Sequence, residues 1–159
     1  MNKIIVCRGL PGSGKTTWAK NFVKTSSYYK TVRVNRDDIR RMLSIDYHDF
    51  SEIFVKEVEK NIIVTALNSG YLIIVDDTNI YAHSAELIVD ACNECNVEQV
   101  WVEIKNFFDV PLEVCLARNK QRNKIERVPQ EVIRKFAKYY EEHGQLYLDK
   151  LKQTIHIKL

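Results

Sequence analysis

The chain has 159 residues, 45% of them hydrophobic and 28% charged, with a net charge of +3. This suits a single domain over residues 1–159, excludes a collagen-like, linker-rich or low-complexity chain, and is too mildly basic to demonstrate nucleic-acid binding. No apolar run exceeds about five residues, far short of the ~20 that cross a bilayer, and Arg8 arrives too early for a signal peptide, so a soluble cytoplasmic protein with no membrane partner is expected.

Ile4-Ile5-Val6 predicts a buried strand over 3–7, closed by a glycine loop over 9–14. Trp18, Ala19, Phe22 and Val23 lie at helical spacing, giving a helix over 15–24. Residues 31–34 alternate as a second strand, and a helix over 37–43 opens with two acids in its first turn. Phe54, Val58 and Ile62 set a helix over 51–68 that stops at Gly70. A strand over 71–75, a helix over 85–95, a strand over 97–104 and a helix over 111–120 follow. One long helix from 129 to about 151 and a last strand over 154–158 complete the chain. Strands alternating with helices imply an α/β fold, a parallel five-stranded sheet covered on both faces.

Gly9-Leu10-Pro11-Gly12-Ser13-Gly14-Lys15-Thr16 matches G-x-x-x-x-G-K-[ST] in full, between a predicted strand and a predicted helix. Glycines let backbone N–H groups converge on phosphate oxygens, and the helix N-terminus adds its positive end. The implied fold is that of the P-loop NTPases and the implied ligand a nucleoside triphosphate such as ATP. Gly9, Gly12, Ser13, Gly14, Lys15, Thr16 and Thr17 are its candidate contacts. Lys15 would reach the β- and γ-phosphates, and Thr16 would offer its hydroxyl to Mg²⁺.

The acceptor must be read from the later strand ends, where ligands collect in open α/β sheets. After the second strand, Asp37 and Arg40 are i,i+3 on one helix face. A carboxylate there can take a proton from an attacking hydroxyl, and a guanidinium can grip an anionic acceptor. The bland alternative is a helix-start charge pattern with an Asp37–Arg41 surface pair. After the third strand come Asp76, Asp77, Thr78 and Asn79. An apolar strand ending in Asp is the Walker-B pattern that helps to hold Mg²⁺ or its waters. Metal duty stays open between Asp76 and Asp77, with Asp77, Thr78 and Asn79 as acceptor-side groups or as caps of the next helix.

From Cys115 to Lys138 there are eight Lys/Arg against two acids, a net +6 that exceeds the charge of the whole chain. Arg118 and Arg122 are i,i+4, which suits a basic helical lid over about 118–128 closing an arginine on the transferring phosphoryl group. A solvated basic face is the alternative.

These blocks together resemble the P-loop 5′-hydroxyl polynucleotide kinases, as in the kinase module of phage polynucleotide kinase-phosphatases. The resemblance runs from Met1 to about Tyr140 and rests on residues 11–19, Asn35-Arg36-Asp37-Asp38-x-Arg40, Asp77-Thr78-Asn79, Arg118-Asn119-x-x-Arg122 and Val128-Pro129. It implies Asp37 as general base on a 5′-OH, Arg40 on the neighbouring phosphate and Asp77 as support of that pocket. It further implies Arg122 on the donor phosphates, Arg118 near the donor nucleotide and Val128 against an acceptor base. Mg²⁺ and ATP are the implied cofactor and donor, with nucleic-acid 5′-OH ends of DNA or RNA as partners. The chain carries no D-x-D-x-T pattern, so no 3′-phosphatase activity is expected, and residues 122–127 lack the glycine a hinged lid would use. The competing readings are a small-molecule or nucleoside kinase and a nucleotide-dependent RNA-binding regulatory module. Cys92 and Cys95 form a lone C-x-x-C without a second ligand pair, and Tyr139, Tyr140 and Tyr147 read as packing and rim residues.

Overall fold

The apolar runs rich in β-branched residues become the strands of one sheet. The computed structural model describes residues 2–28, 30–45, 49–153 and 157–158. β1 (Lys3–Arg8), β2 (Thr31–Val34), β3 (Leu72–Asp76), β4 (Val100–Asn106) and β5 (Ile157–Lys158) are all parallel, in the order β2-β3-β1-β4-β5. β1 lies at the centre, with Val6 opposite Val75 on one side and Ile104 on the other.

Four strands carry the sheet. The fifth strand expected over 154–158 is reduced to a two-residue pairing, Val100 with Ile157 and Trp101 with Lys158, and residues 154–156 lie outside the described ones. The expected five full strands are therefore corrected to four with a short edge.

The helices are α1 (Lys15–Thr25), α2 (Arg36–Leu43), α3 (Asp49–Asn68), α4 (Ala82–Glu94), α5 (Leu112–Lys120), α6 (Gln130–His143) and α7 (Gln145–Leu151). Strand periodicity sorts the core. Ile4 and Val6 face the layer with Val55, Ile63, Ile88 and Leu151, whereas Ile5 and Cys7 face Ala19, Trp18 and Phe22 of α1. No described helix is long and apolar enough to cross a membrane.

The single helix expected from 129 to about 151 is instead α6 and α7, broken at Gly144. A Cβ at Gly144 would stand 2.6 Å from both the carbonyl oxygen and a ring carbon of Tyr140. The break turns Tyr147 and Leu151 fully into the core. It also presents the Gly144 carbonyl to Arg8, a guanidinium only 3% exposed at the end of β1. Arg8 donates to Asn79 O at 2.8 Å and to Gly144 O at 3.0 Å, and lies 4.3 Å from the Tyr147 ring centroid. One buried cation thus fastens the C-terminal helices to the ends of two central strands.

Arg8→Met keeps the bulk but strips both carbonyls of their donor, so urea unfolding should show a loss of about 2–4 kcal/mol. An unchanged midpoint would mean that water or a neighbour takes over these bonds.

Candidate active site

The loop between β1 and α1 is shaped by two left-handed glycines, Gly12 (φ 84°) and Gly14 (φ 97°). A Cβ on Gly12 would lie 2.4 Å from the Cys115 carbonyl oxygen, so the loop is pressed against α5. Gly9 donates its N–H to Thr78 O at 3.2 Å, joining the loop to the end of β3. The N-terminus of α1 has no side-chain cap, and the buried Ser13 Oγ has no partner among the described residues. Thr17 is exposed on the first turn. Lys15 is 8% exposed and donates to Leu10 O at 2.9 Å. Burial, with Arg122 adding to it and Asp76 and Asp77 opposing, pushes its ammonium down to about 8. An uncapped helix start, an unpartnered hydroxyl and a desolvated lysine form a site in want of anions.

The structure separates the two acids that the sequence left equivalent. Asp76 is 1% exposed, accepts from Arg33 Nε at 2.7 Å, and has a buried second oxygen, Oδ1, with no hydrogen-bond partner among the described residues. Burial raises its pKa, while Arg33, Thr16 and Lys15 hold it down. Thr16 and Asp76 are thus the oxygen donors beside Lys15, a hard set that fits Mg²⁺ directly or through water. Asp77 turns the other way. Its Oδ1 accepts from the Arg36 backbone N–H at 3.3 Å and from Asn35 Nδ2 at 3.4 Å, and its carboxylate lies 3.6 Å from Arg36 Nε.

Asn35 ties these pieces together. Its side-chain oxygen caps α2 by accepting from Asp38 N at 3.1 Å, and its amide donates to the Asp76 carbonyl. The cap sets Asp37 and Arg40 at the rim of a cleft of about 520 Å³ that also reaches Asp77 and Thr78. The Asp37 carboxylate is 73% exposed and pairs with Arg40 Nη1 at 2.6 Å. Arg40 is held from behind by Glu52, whose oxygens accept from Nε at 2.6 Å and Nη2 at 2.7 Å. The Asp37–Arg41 surface pair weighed above does not form, because Arg41 is on Asp38. Asn79 lines the same cleft and also has a structural part. It is 3% exposed with φ 48°, and its amide donates to Cys7 O at 2.8 Å, a tie between β3 and β1.

The lid is not helical. α5 ends at Lys120, so Arg118 and Arg122, expected on one helix face, fall on either side of the helix end. Arg118 touches the phosphate loop, and Arg122 acts on it through charge. Arg118 Nη1 donates to Gly12 O at 3.5 Å, and the charge of Arg122 acts on Lys15. The loop is clasped at its base by Asn119, fully buried, which donates to Val128 O at 2.7 Å and accepts from Val128 N at 3.1 Å. Val128 itself packs on the cluster of Leu10, Ile80, Cys115 and Ile133.

Sequence reasoning missed Glu59. It is 0% exposed and accepts from Arg36 Nε at 2.8 Å, while Glu59 Oε1 and Asp77 Oδ2 are both buried with no hydrogen-bond partner among the described residues. Burial and the facing Asp77 push the Glu59 carboxyl up to about 8, against Arg36. A proton shared between the two carboxyls satisfies both orphaned oxygens. The signal was a glutamate in the buried α3 stripe between Val55 and Ile63. The cysteines took no part in the site: Cys92 is buried with its thiol pushed up to about 12, chiefly by burial.

Residues 4–143 match the family described as AAA domain (AAA_33). The chain belongs to this family of P-loop kinases. It is 28% identical over 146 residues to the L-seryl-tRNA(Sec) kinase of Methanococcus maripaludis, covering 91% of this chain and 54% of the relative. The chain therefore spans about half the length of that relative. It superposes on a chain of the Pnkp1/Rnl/Hen1 RNA repair complex with a TM-score of 0.75 and 27% identity, over 94% of this chain and 46% of the other. A second structure of the Pnkp1/Rnl/Hen1 complex gives 0.63 and 31%, over 74% of this chain and 38% of the other. The Mycobacterium tuberculosis APS kinase CysC, at 0.51 and 15% over 66% of this chain and 73% of the other, shares the fold alone. The likeness is to polynucleotide kinases among P-loop kinases.

The Glu59 carboxyl has a folded pKa raised from 4.5 to about 8. Its protonated form is favoured in the folded state, so its contribution is complete below 4.5 and is lost as pH rises through about 8. Urea unfolding of wild type against Glu59→Gln should show wild type losing ground steadily across that window. Parallel pH profiles would remove the shared-proton account.

Proposed function

We propose that this chain transfers the γ-phosphoryl group of ATP to the 5′-hydroxyl end of a polynucleotide. The observation that carries the reading is the shared cleft: an exposed Asp37 carboxylate and the Arg40 guanidinium stand beside Asp77 at the sheet edge that bears the phosphate loop. The likeness to the Pnkp1/Rnl/Hen1 RNA repair complex over 94% of the chain supports a nucleic-acid acceptor.

In this reading the 5′-oxygen attacks the γ-phosphorus, its proton passes to Asp37, and the bond to the β–γ bridging oxygen breaks with ADP leaving. Arg40, braced by Glu52, grips the phosphate next to the reacting nucleotide. Lys15, the α1 N-terminus and Arg122 neutralise charge on the transferred group, with Arg118 over the loop. Mg²⁺, held by Thr16 and Asp76, would supply further neutralisation of the phosphates. The segment over 118–128, the last turn of α5 and the non-helical stretch after it, is the lid, and Val128 with Thr78 borders the acceptor. Holding hydroxyl and phosphorus in line is the larger part of the catalysis. The L-seryl-tRNA(Sec) kinase relative favours a second acceptor for the same machinery, a seryl hydroxyl carried on RNA.

Asp37→Asn should lower kcat on a 5′-OH oligonucleotide by about 10²–10⁴-fold, with ATP affinity by calorimetry unchanged. Near-full turnover in that variant would sink the assignment of the base.

A further inference from the structure

The cleft holds one more cation than a single acceptor phosphate requires. Its three lining carboxylates are each committed: Asp37 and Glu52 to Arg40, both at 2.6 Å, and Asp77 to Arg36 at 3.6 Å. Lys56 lines the same cleft, exposed, and among the described residues no carboxylate pairs with it. It follows Glu52 by one turn of α3, about 6 Å along the axis. The cation therefore stands one helical turn beyond the carboxylate that braces Arg40, in the same cleft.

Another wall of the cleft is aromatic. His83, exposed at the start of α4, stacks on Tyr81 with ring centroids 5.3 Å apart and an interplanar angle of 11°. Tyr81 stands edge-on to Phe136 at 6.1 Å. The imidazole is held below its ordinary pKa by partial burial and by the charges of Lys56 and Arg36, which marks this end of the cleft as positive. The carboxylate that opposes them, Glu86, is itself paired with Lys150 at 3.2 Å. A flat aromatic surface next to an unpaired cation is the combination that takes a base and a phosphate together.

We propose that Lys56, His83 and Tyr81 form a second acceptor subsite, which binds the phosphate and base of the nucleotide following the one that is phosphorylated. This rests on the polynucleotide reading above and deepens it. Arg40 selects a nucleoside carrying a 3′-phosphate, and the second subsite makes an acceptor of two or more nucleotides the better substrate.

The test is the kcat/KM for phosphoryl transfer to a nucleoside, a dinucleotide and a trinucleotide, each ending in a 3′-monophosphate and each with a free 5′-hydroxyl. Wild type should gain about tenfold or more from the first acceptor to the second. Lys56→Ala and His83→Ala should bring that ratio towards one, while Lys24→Ala, which removes an exposed α1 charge outside the cleft, should leave it unchanged. Thermal unfolding of each variant shows that the fold is intact. A wild-type ratio near one, or a ratio that survives both substitutions, overturns the subsite and leaves the kinase reading standing. Failure to label any of the three acceptors overturns the polynucleotide reading, and the subsite with it.

Discussion

A carboxylate that is 1% exposed at the end of a central strand must be held by cations, and Asp76 is where the sheet and the site meet that requirement. Arg33 from β2 reaches it at 2.7 Å, and Lys15 and Thr16 face it from the start of α1. Its own backbone carbonyl takes the amide of Asn35, the residue that caps α2. One buried acid therefore fixes the phosphate loop, the neighbouring strand and the helix that bears Asp37 and Arg40. The strand order makes this geometry available, because β1, β2 and β3 are parallel and all end at the same edge.

The remaining charges sort themselves around that point by burial. The deeper trio, Arg36 with Glu59 and Asp77, braces the junction of α2, α3 and β3. The shallower pair, Arg40 with Glu52, braces the guanidinium from the α3 side. Asp37 is the carboxylate of this group most open to solvent, at 73%, and so the one an incoming hydroxyl can reach. On the donor side, Arg118 reaches the loop from the last turn of α5, and Arg122 follows in a non-helical segment that Asn119 clasps to Val128.

Strands and most helices were legible because apolar periodicity reports burial directly: β2 falls over the predicted 31–34, and α2 starts one residue early. The phosphate loop was legible because its glycines and lysine are a local requirement of local chemistry. The break at Gly144 was not, since one glycine in a helical pattern carries no sign of the Tyr140 ring it must clear. Arg8 was equally silent: its partners lie 71 and 136 residues away, and only the fold brings them together. The division of Asp76 from Asp77 was hidden for a related reason. Adjacent residues on a strand point to opposite sides, but which side faces Thr16 is decided by the register of β3 against β1. Glu59 did leave a trace, as a charge inside an otherwise apolar helical stripe, which a buried helix face tolerates only with a partner.

The central claim is the nature of the acceptor. The most direct measurement is transfer of label from γ-labelled ATP, with Mg²⁺, to a 5′-hydroxyl oligonucleotide, its 5′-phosphorylated twin, seryl-tRNA and free nucleosides in parallel. The account predicts label on the 5′-hydroxyl oligonucleotide and none on its twin. Label confined to seryl-tRNA or to nucleosides, or phosphate release with no acceptor labelled, would contradict it.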